Sequence, residues 1–476
     1  ADLSRPDLCI VGAGALGIAL AQHGRRLGAS VVLVDRGAPE PGDGVQRALR
    51  LASLQASAAR AHAMRNAGAL GLPSIEPKIS VKAVQERARQ MADLRAPLDS
   101  HERLAALGIE IVTGTSRFVD AASLQVGEAK IRAKAFVLAL GETPIVPAVV
   151  GLDRVNFFTP DTILENTRKL THLLVIGGEA TGLVLAQVFL RLGSQVTLVP
   201  QGSLLAGHDD ESANILLHAI EQEGLVVVRE GAVRALQART QGIGALVDLP
   251  GGDELALDVS HVLVAAGGFV DLAGLDAEAA RLQSRRGATA ILAEGELGQT
   301  RNRRVRAAGI GAGFGQWQHA ISHGFALVED LVLGAPRRRP GAEPLLVMTD
   351  PPLAQIGRPA GLVDRLRPGF SLYRASLGEN EAALALGLAQ GLVKVTGDAR
   401  GRIVGASAVG PGAAEMASFL ALAKEHGLGL GALAHISAPH PALMASLVEL
   451  GKVFQAEQKV SALAGKVARL RRLLPF

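Results

Sequence analysis

Two segments of this chain repeat one arrangement, an apolar strand running into a glycine-rich turn and then a helix, and that repetition restricts the fold more than any other feature. The first reads Cys9-Ile10-Val11-Gly12-Ala13-Gly14-Ala15-Leu16-Gly17, with a helical stretch to Leu27 and a second apolar run, Val31-Val32-Leu33-Val34, that ends on Asp35. The second reads Leu173 to Ile176, then Gly177-Gly178-Glu179-Ala180-Thr181-Gly182, and its later strand, Val196 to Val199, ends on Pro200. Strand, glycine turn, helix and second strand in this order predict a parallel βαβ unit of the dinucleotide-binding type.

The two copies differ where a ligand would be touched. In the first, Gly12 permits the tight turn, Gly14 lets the backbone approach a pyrophosphate and Gly17 lets helix and strand pack closely, while the helix N-terminus offers N–H groups to the phosphates. Asp35, about 20 residues on, is placed to accept ribose hydroxyls. In the second, Glu179 puts a side chain and a negative charge where a pyrophosphate would come closest, and Pro200 offers a ribose no hydrogen-bonding side chain. The first copy reads as a nucleotide site, the second as a Rossmann unit kept for its architecture.

Composition removes other function classes. An aromatic share of 3% argues against stacking platforms for single-stranded nucleic acid, and a net charge of +4 in 476 residues argues against a dedicated nucleic-acid binder despite the basic isoelectric point. No stretch approaches the ~18 uninterrupted apolar residues of a membrane span, and Ala1-Asp2-Leu3-Ser4 lacks a signal-peptide layout, so the cytoplasm is the expected compartment. The single cysteine, Cys9, lies inside the first strand and reads as inert packing that cannot form an intrachain disulfide.

Strand and helix alternate from residue 7 to about 335, which predicts parallel sheets covered by helices. Ala135 to Leu140 ends at Gly141, His261 to Ala266 at Gly267-Gly268, and Val305 to Ala308 at Gly309 before a helical stretch through Trp317, His319 and His323. Pro336-Arg337-Arg338-Arg339-Pro340-Gly341 reads as a solvated linker. Beyond it, Leu392 to Thr396 and Ile403 to Val409 flank a Gly397 to Gly401 turn, the pattern of a β-hairpin in an α+β domain. The last stretch alternates Val460, Val467, Leu470 and Leu474 with Lys459, Lys466, Arg469, Arg471 and Arg472, a basic amphipathic helix that reads as docked on its own protein, with contact to a membrane surface as the alternative. The expected division is 1–155 and 261–335 for a split first domain, 156–260 for an inserted second Rossmann domain, and 336–476 for the C-terminal domain.

This order of parts resembles the FAD-dependent pyridine nucleotide-disulfide oxidoreductases, especially dihydrolipoamide dehydrogenase and mercuric reductase-like proteins, over nearly the whole chain. The matching segments are the first glycine turn, Phe136 to Pro147, Phe158 to Leu164, Leu173 to Val199, Val262 to Gly267, Thr349 to Gly357, Gly405 to Glu415, and His440-Pro441. The resemblance implies an FAD domain, an inserted NAD(P)H domain and a C-terminal interface domain in a homodimer. It places Gly12, Gly14, Gly17 and Asp35 at the ADP half of FAD, and Ala139, Gly141 and Gly309 along the backbone beside the cofactor.

The family relays electrons from NAD(P)H through flavin to a cysteine pair, and the positions that would do so are changed here. Counting back from Ala61-His62-Ala63-Met64-Arg65, the cysteines fall on Asp43 and Ala48, the flavin-side lysine on Ala52 and its glutamate partner on Val184. The aspartate that would hold the ribityl chain falls on Ile310, and the arginine that follows the family's second A-x-G turn on Gly268. At the C-terminal active segment His440 and Pro441 remain, while the glutamate that would orient the histidine falls on Ala445, with Glu449 one helical turn further. His440 is therefore the one catalytic candidate. His435 and His440 have poor metal-ligand spacing, and no metal is expected.

Two readings follow. One is an FAD-dependent oxidoreductase scaffold without disulfide or mercuric reduction, with residual flavin-mediated transfer to a small acceptor as the least demanding activity, and with Glu179 and Pro200 arguing against NAD(P)H. The alternative is a non-catalytic homologue used for binding or assembly, so the residues leave open whether the chain is an enzyme.

Overall fold

The apolar runs that open each glycine turn have no polar face to give to solvent, so each must be covered on both sides. In the computed structural model, which describes residues 3–37, 44–282, 292–337, 341, 343–358 and 369–458, each lies at the centre of a five-stranded parallel sheet. The first sheet runs Val305–Ala307, Ala135–Leu138, Leu8–Val11, Val31–Asp35, Ile109–Thr113. The second runs Phe157–Phe158, His261–Val264, His172–Ile176, Gln195–Val199, Val226–Val227. In both, strand order reverses at the central strand, which opens a crevice at the carboxyl ends where doubly wound folds bind ligands.

Side-chain alternation divides the first sheet's core in two. Leu8, Ile10, Leu33 and Val137 pack with Leu20, Leu327 and Val328, and Cys9, Val11, Val32, Phe136 and Leu138 with Phe118, Leu124 and Ile131. Helix Ala15–Arg26 buries Gly17, Leu20, Ala21 and Gly24, the three-and-four spacing of a single helix face. A mixed sheet of four strands, in which Leu3–Ser4 pairs parallel with Ala129–Ile131, and an antiparallel sheet of three accompany the two parallel ones.

The chain forms two compact units, Ala1–Ala206 with Ile220–Glu343, and Gly207–Ala219 with Pro344–Phe476. The second unit carries a five-stranded antiparallel sheet with helices Ala413–Glu425 and Ala445–Glu457. Its centre includes the expected hairpin, Leu392–Asp398 paired with Ile403–Val409. Asp209 is fixed there by an ion pair with Lys394 at 2.7 Å, the side chains 3% and 5% exposed, and its backbone N–H donates to Gln355 Oε1 at 2.7 Å. Burial by itself would raise the Asp209 carboxyl, but hydrogen bonds from Lys394 and the Ser212 backbone outweigh it and hold the group below its ordinary value. An α/β fold with two Rossmann-like sheets and a C-terminal α+β unit is thus what the strand patterns predict. Asp43, residues 338–340 of the linker and the basic terminal stretch from Lys459 onward lie outside the described residues.

Candidate functional site

The two glycine turns are built on the same hydrogen bonds. Gly12 N–H donates to Val34 O at 3.1 Å and Ala139 N–H to Val11 O at 2.9 Å; in the second copy Gly177 donates to Val199 O at 2.9 Å and Ala265 to Ile176 O at 2.8 Å. Gly12 (φ +113°) and Gly177 (φ +140°) both adopt left-handed backbone, and a Cβ on either would lie 2.1 Å from Ala139 O or 2.0 Å from Ala265 O. Gly17 and Gly182 are also packing glycines, a Cβ there falling 1.8 Å from Gly12 O and 3.1 Å from Ala265 Cβ. The fold alone therefore accounts for these four.

Gly14 is different. It is the N-cap of helix Ala15–Arg26 with φ −71° and ψ 179°, and a Cβ built on it meets no atom within 4 Å. Nothing in the protein requires glycine there, whereas a phosphate approaching the helix N-terminus would occupy that open space. The corresponding residue of the second turn is Glu179, whose carboxylate lies against Gly267, with Oε1 2.5 Å from where a Cβ on that glycine would sit. The second turn keeps the glycines its packing needs and lacks the one a pyrophosphate needs.

Around the first turn, Ala139 is buried and its carbonyl abuts Gly12. Gly309 (φ +60°) faces Leu16 at the start of the same helix, and Gly141 (φ +79°) is exposed just past the neighbouring strand. Asp35 ends its strand with both carboxylate oxygens engaged: Oδ1 accepts from Gly37 N–H at 3.0 Å and Oδ2 lies 2.8 Å from His101 Nε2. Sequence reasoning did not find His101, which stands 66 residues away in no recognisable motif.

The positions that the resemblance places beside a flavin are furnished differently. Ile310 is a partly buried hydrocarbon packed against the core cluster of Val11 and Leu138, and supplies no hydrogen-bond acceptor to a ribityl chain. Val184 is buried core, Ala52 and Ala48 are exposed, and Pro200 is buried at its strand end. Helix Gly44–Arg65 instead points arginines at the Asp161 to Glu165 segment: Arg47 bonds Asp161 at 3.0 Å and lies 3.9 Å from Glu142, while Arg50 bonds Glu165 and the Leu164 carbonyl. Glu142 lies across Gly268. Burial pushes its carboxyl up, Arg47 pulls it back, and the nearby Glu179 and Asp161 charges raise it further. These side chains bring charge to the ground between the two turns, but no pair of thiols. Cys9 is 0% exposed, and burial pushes its thiol far above the ordinary range.

In the second unit His440 borders a cavity of about 250 Å³ lined by Ser376, Glu379, Glu381, Ser446 and Glu449 among others. The acid beside its ring is Glu381, with His440 Nε2 to Oε2 at 3.3 Å, while Glu449 pairs with Lys452 at 2.7 Å. Glu449, one turn beyond Ala445, is thus engaged elsewhere, and the partner found comes from the short helix Glu381–Ala385. Side chains 82% and 70% exposed make this a screened surface pair that holds the imidazole weakly. Among the described residues no three His, Cys, Asp or Glu side chains gather as metal ligands, and no helix is long and apolar enough to cross a membrane.

Comparison with known proteins agrees with this architecture. The family model for pyridine nucleotide-disulphide oxidoreductase matches residues 6–324, and that for the dimerisation domain of the same family matches 343–450. The chain is 29% identical over 471 residues to a mercuric reductase of Streptomyces lividans, covering 96% of this chain and 98% of the relative. It is 28% identical over 473 residues to a dihydrolipoyl dehydrogenase of Thermus scotoductus, covering 95% and 98%. Its fold is similar to that of the HOCl-induced flavoprotein disulfide reductase RclA from Escherichia coli, with a TM-score of 0.80 at 20% identity, covering 94% of this chain and 99% of that one. The chain belongs to the pyridine nucleotide-disulphide oxidoreductase family.

Proposed function

We propose that this chain is a member of its family that keeps the ADP half of the FAD site and lacks the disulfide relay. Gly14 and Asp35 meet the pyrophosphate and ribose on a turn that Gly12 and Gly17 make possible, with Ala139, Gly141 and Gly309 shaping the adjoining backbone. The observation that carries this reading is the open space over Gly14, matched in the second turn by a glutamate whose carboxylate lies on Gly267. The flavin half fits less well, because Ile310 gives the ribityl chain nothing to bond. A dithiol relay needs two cysteines, and the one present is buried.

In this reading residues 1–155 and 261–335 form the cofactor domain, 156–260 an inserted domain that does not take NAD(P)H, and 336–476 the surface of a homodimer, as the dimerisation-domain match suggests. His440 then lacks a thiol to serve. The contacts that favour a binding or assembly role over catalysis are those at Ile310 and Glu179.

Calorimetric titration with ADP, FAD, NADH and NADPH, together with the visible spectrum under saturating FAD, tests the proposal. Binding of ADP and FAD without bleaching by either reduced nicotinamide is expected. Failure to bind ADP, or NADPH-driven reduction of a disulfide, overturns it.

A further inference from the structure

We infer that His101 is a positioning residue for the adenosine ribose, acting through Asp35; the inference rests on the ADP site proposed above. An ionised carboxylate accepts only, so the proton in the 2.8 Å contact sits on His101 Nε2. Gly37 N–H binds the other oxygen at 3.0 Å, so each oxygen is held by one donor and keeps a further lone pair. A carboxylate pinned at both oxygens can accept a vicinal 2′,3′-diol without first being ordered. With Gly37 alone it would turn about its side-chain torsions, and binding would have to stop that motion.

The ring is delivered by rigid neighbours. Ser100 Oγ accepts from Arg103 N–H to cap helix His101–Ala106, and Leu104 anchors that helix in the core. The strand that follows, Ile109–Thr113, pairs directly with Val31–Asp35, where Asp35 is registered with Thr113 and Gly114 N–H donates to Asp35 O at 2.8 Å. The two side chains therefore meet through adjacent strands of one sheet. At 53% exposed for His101 and 24% for Asp35, the pair is too solvated to add much to folding, which leaves orientation of the acid as its main consequence. The ligand it favours is an adenine nucleotide with a free 2′,3′-diol.

The test is titration calorimetry of the full chain with ADP and with 2′,3′-dideoxy-ADP. His101→Leu is expected to weaken ADP by about five- to tenfold, the cost of ordering one side chain on binding, while leaving the dideoxy analogue unchanged. His101→Gln, whose amide can donate to Asp35, is expected to restore most of the ADP affinity. Equal weakening of both ligands by His101→Leu, or no change in ADP affinity where the unaltered chain binds it, overturns the inference and leaves the nucleotide site standing. Absence of ADP binding by the unaltered chain overturns the site and the inference together.

Discussion

Exchanging Gly14 and Gly17 in turn for alanine should separate a glycine kept for a ligand from one kept for the fold. At Gly17 the new Cβ would start 1.8 Å from the Gly12 carbonyl oxygen and must retreat to about 3.4 Å, so helix and strand would separate locally by about 1.6 Å. That shift loosens the face formed by Leu20, Ala21 and Gly24, and overpacking of this kind costs about 1–3 kcal/mol. At Gly14 the backbone, φ −71° and ψ 179°, already suits alanine, and the Cβ enters open space. The reduced freedom of the unfolded chain contributes about 0.4–1 kcal/mol of stability, offset by a comparable loss of N-cap preference, so the net change should be under about 1 kcal/mol. The ligand experiences the opposite. A methyl in the pyrophosphate's path should cost one charge-assisted hydrogen bond, about 1.5–3 kcal/mol, and so at least about tenfold in ADP affinity. Urea unfolding and ADP calorimetry on the two variants measure both effects. A Gly14→Ala protein as destabilised as Gly17→Ala, or one that binds ADP as the unaltered chain does, would refute the reasoning.

Three other changes probe the same structure. Asp35→Ala should weaken ADP about tenfold or more by removing the ribose acceptor, whereas Cys9→Ser, whose side chain is buried in the core and does not face the turn, should leave affinity unchanged; calorimetry giving the reverse order would mean the site is misplaced. Glu179→Gly removes the carboxylate lying on Gly267 and should produce NADH binding at millimolar strength or better, detectable by nicotinamide fluorescence; if the variant still ignores NADH, Glu179 is not what keeps the nucleotide out. Lys394→Met leaves Asp209 buried without its cation and should cost about 3–5 kcal/mol in urea unfolding, part of it recovered in Lys394→Met/Asp209→Leu, which also removes the acceptor of the Ser212 N–H. Because the Asp209 carboxyl is held below its ordinary 3.8, the stability it contributes is fully present above pH 4 and is lost as pH falls through the lowered folded value. The unfolding midpoint of the Lys394→Met protein should therefore fall less steeply with acid than that of the unaltered chain.

Much of this was legible in the sequence because the physics is local. Gly12, Gly14, Gly17 and Asp35 occupy fixed offsets along one strand–turn–helix–strand unit, and the offsets themselves predict the crevice. The same local rule marked Glu179 and Pro200 as departures. The hairpin at Leu392 to Val409 was equally readable from two apolar runs around a glycine turn. What the offsets could not tell was how little room the fold leaves at the turn glycines. That depends on Ala139 O and Ala265 O, which reach Gly12 and Gly177 from strands more than 80 residues away.

The sequence by itself determined the strand order's raw material, the two turns, the absence of a thiol pair and the acid at the end of the second strand, since each depends on residue type and near spacing. Tertiary structure alone decided that Gly14 faces open space while Glu179 covers Gly267, that His101 holds Asp35, that Arg47 and Arg50 turn toward Asp161 and Glu165, and that Glu381 rather than Glu449 stands beside His440. Contacts of this kind join side chains separated by tens to hundreds of residues, and their geometry is set by strand pairing and packing that no local pattern encodes.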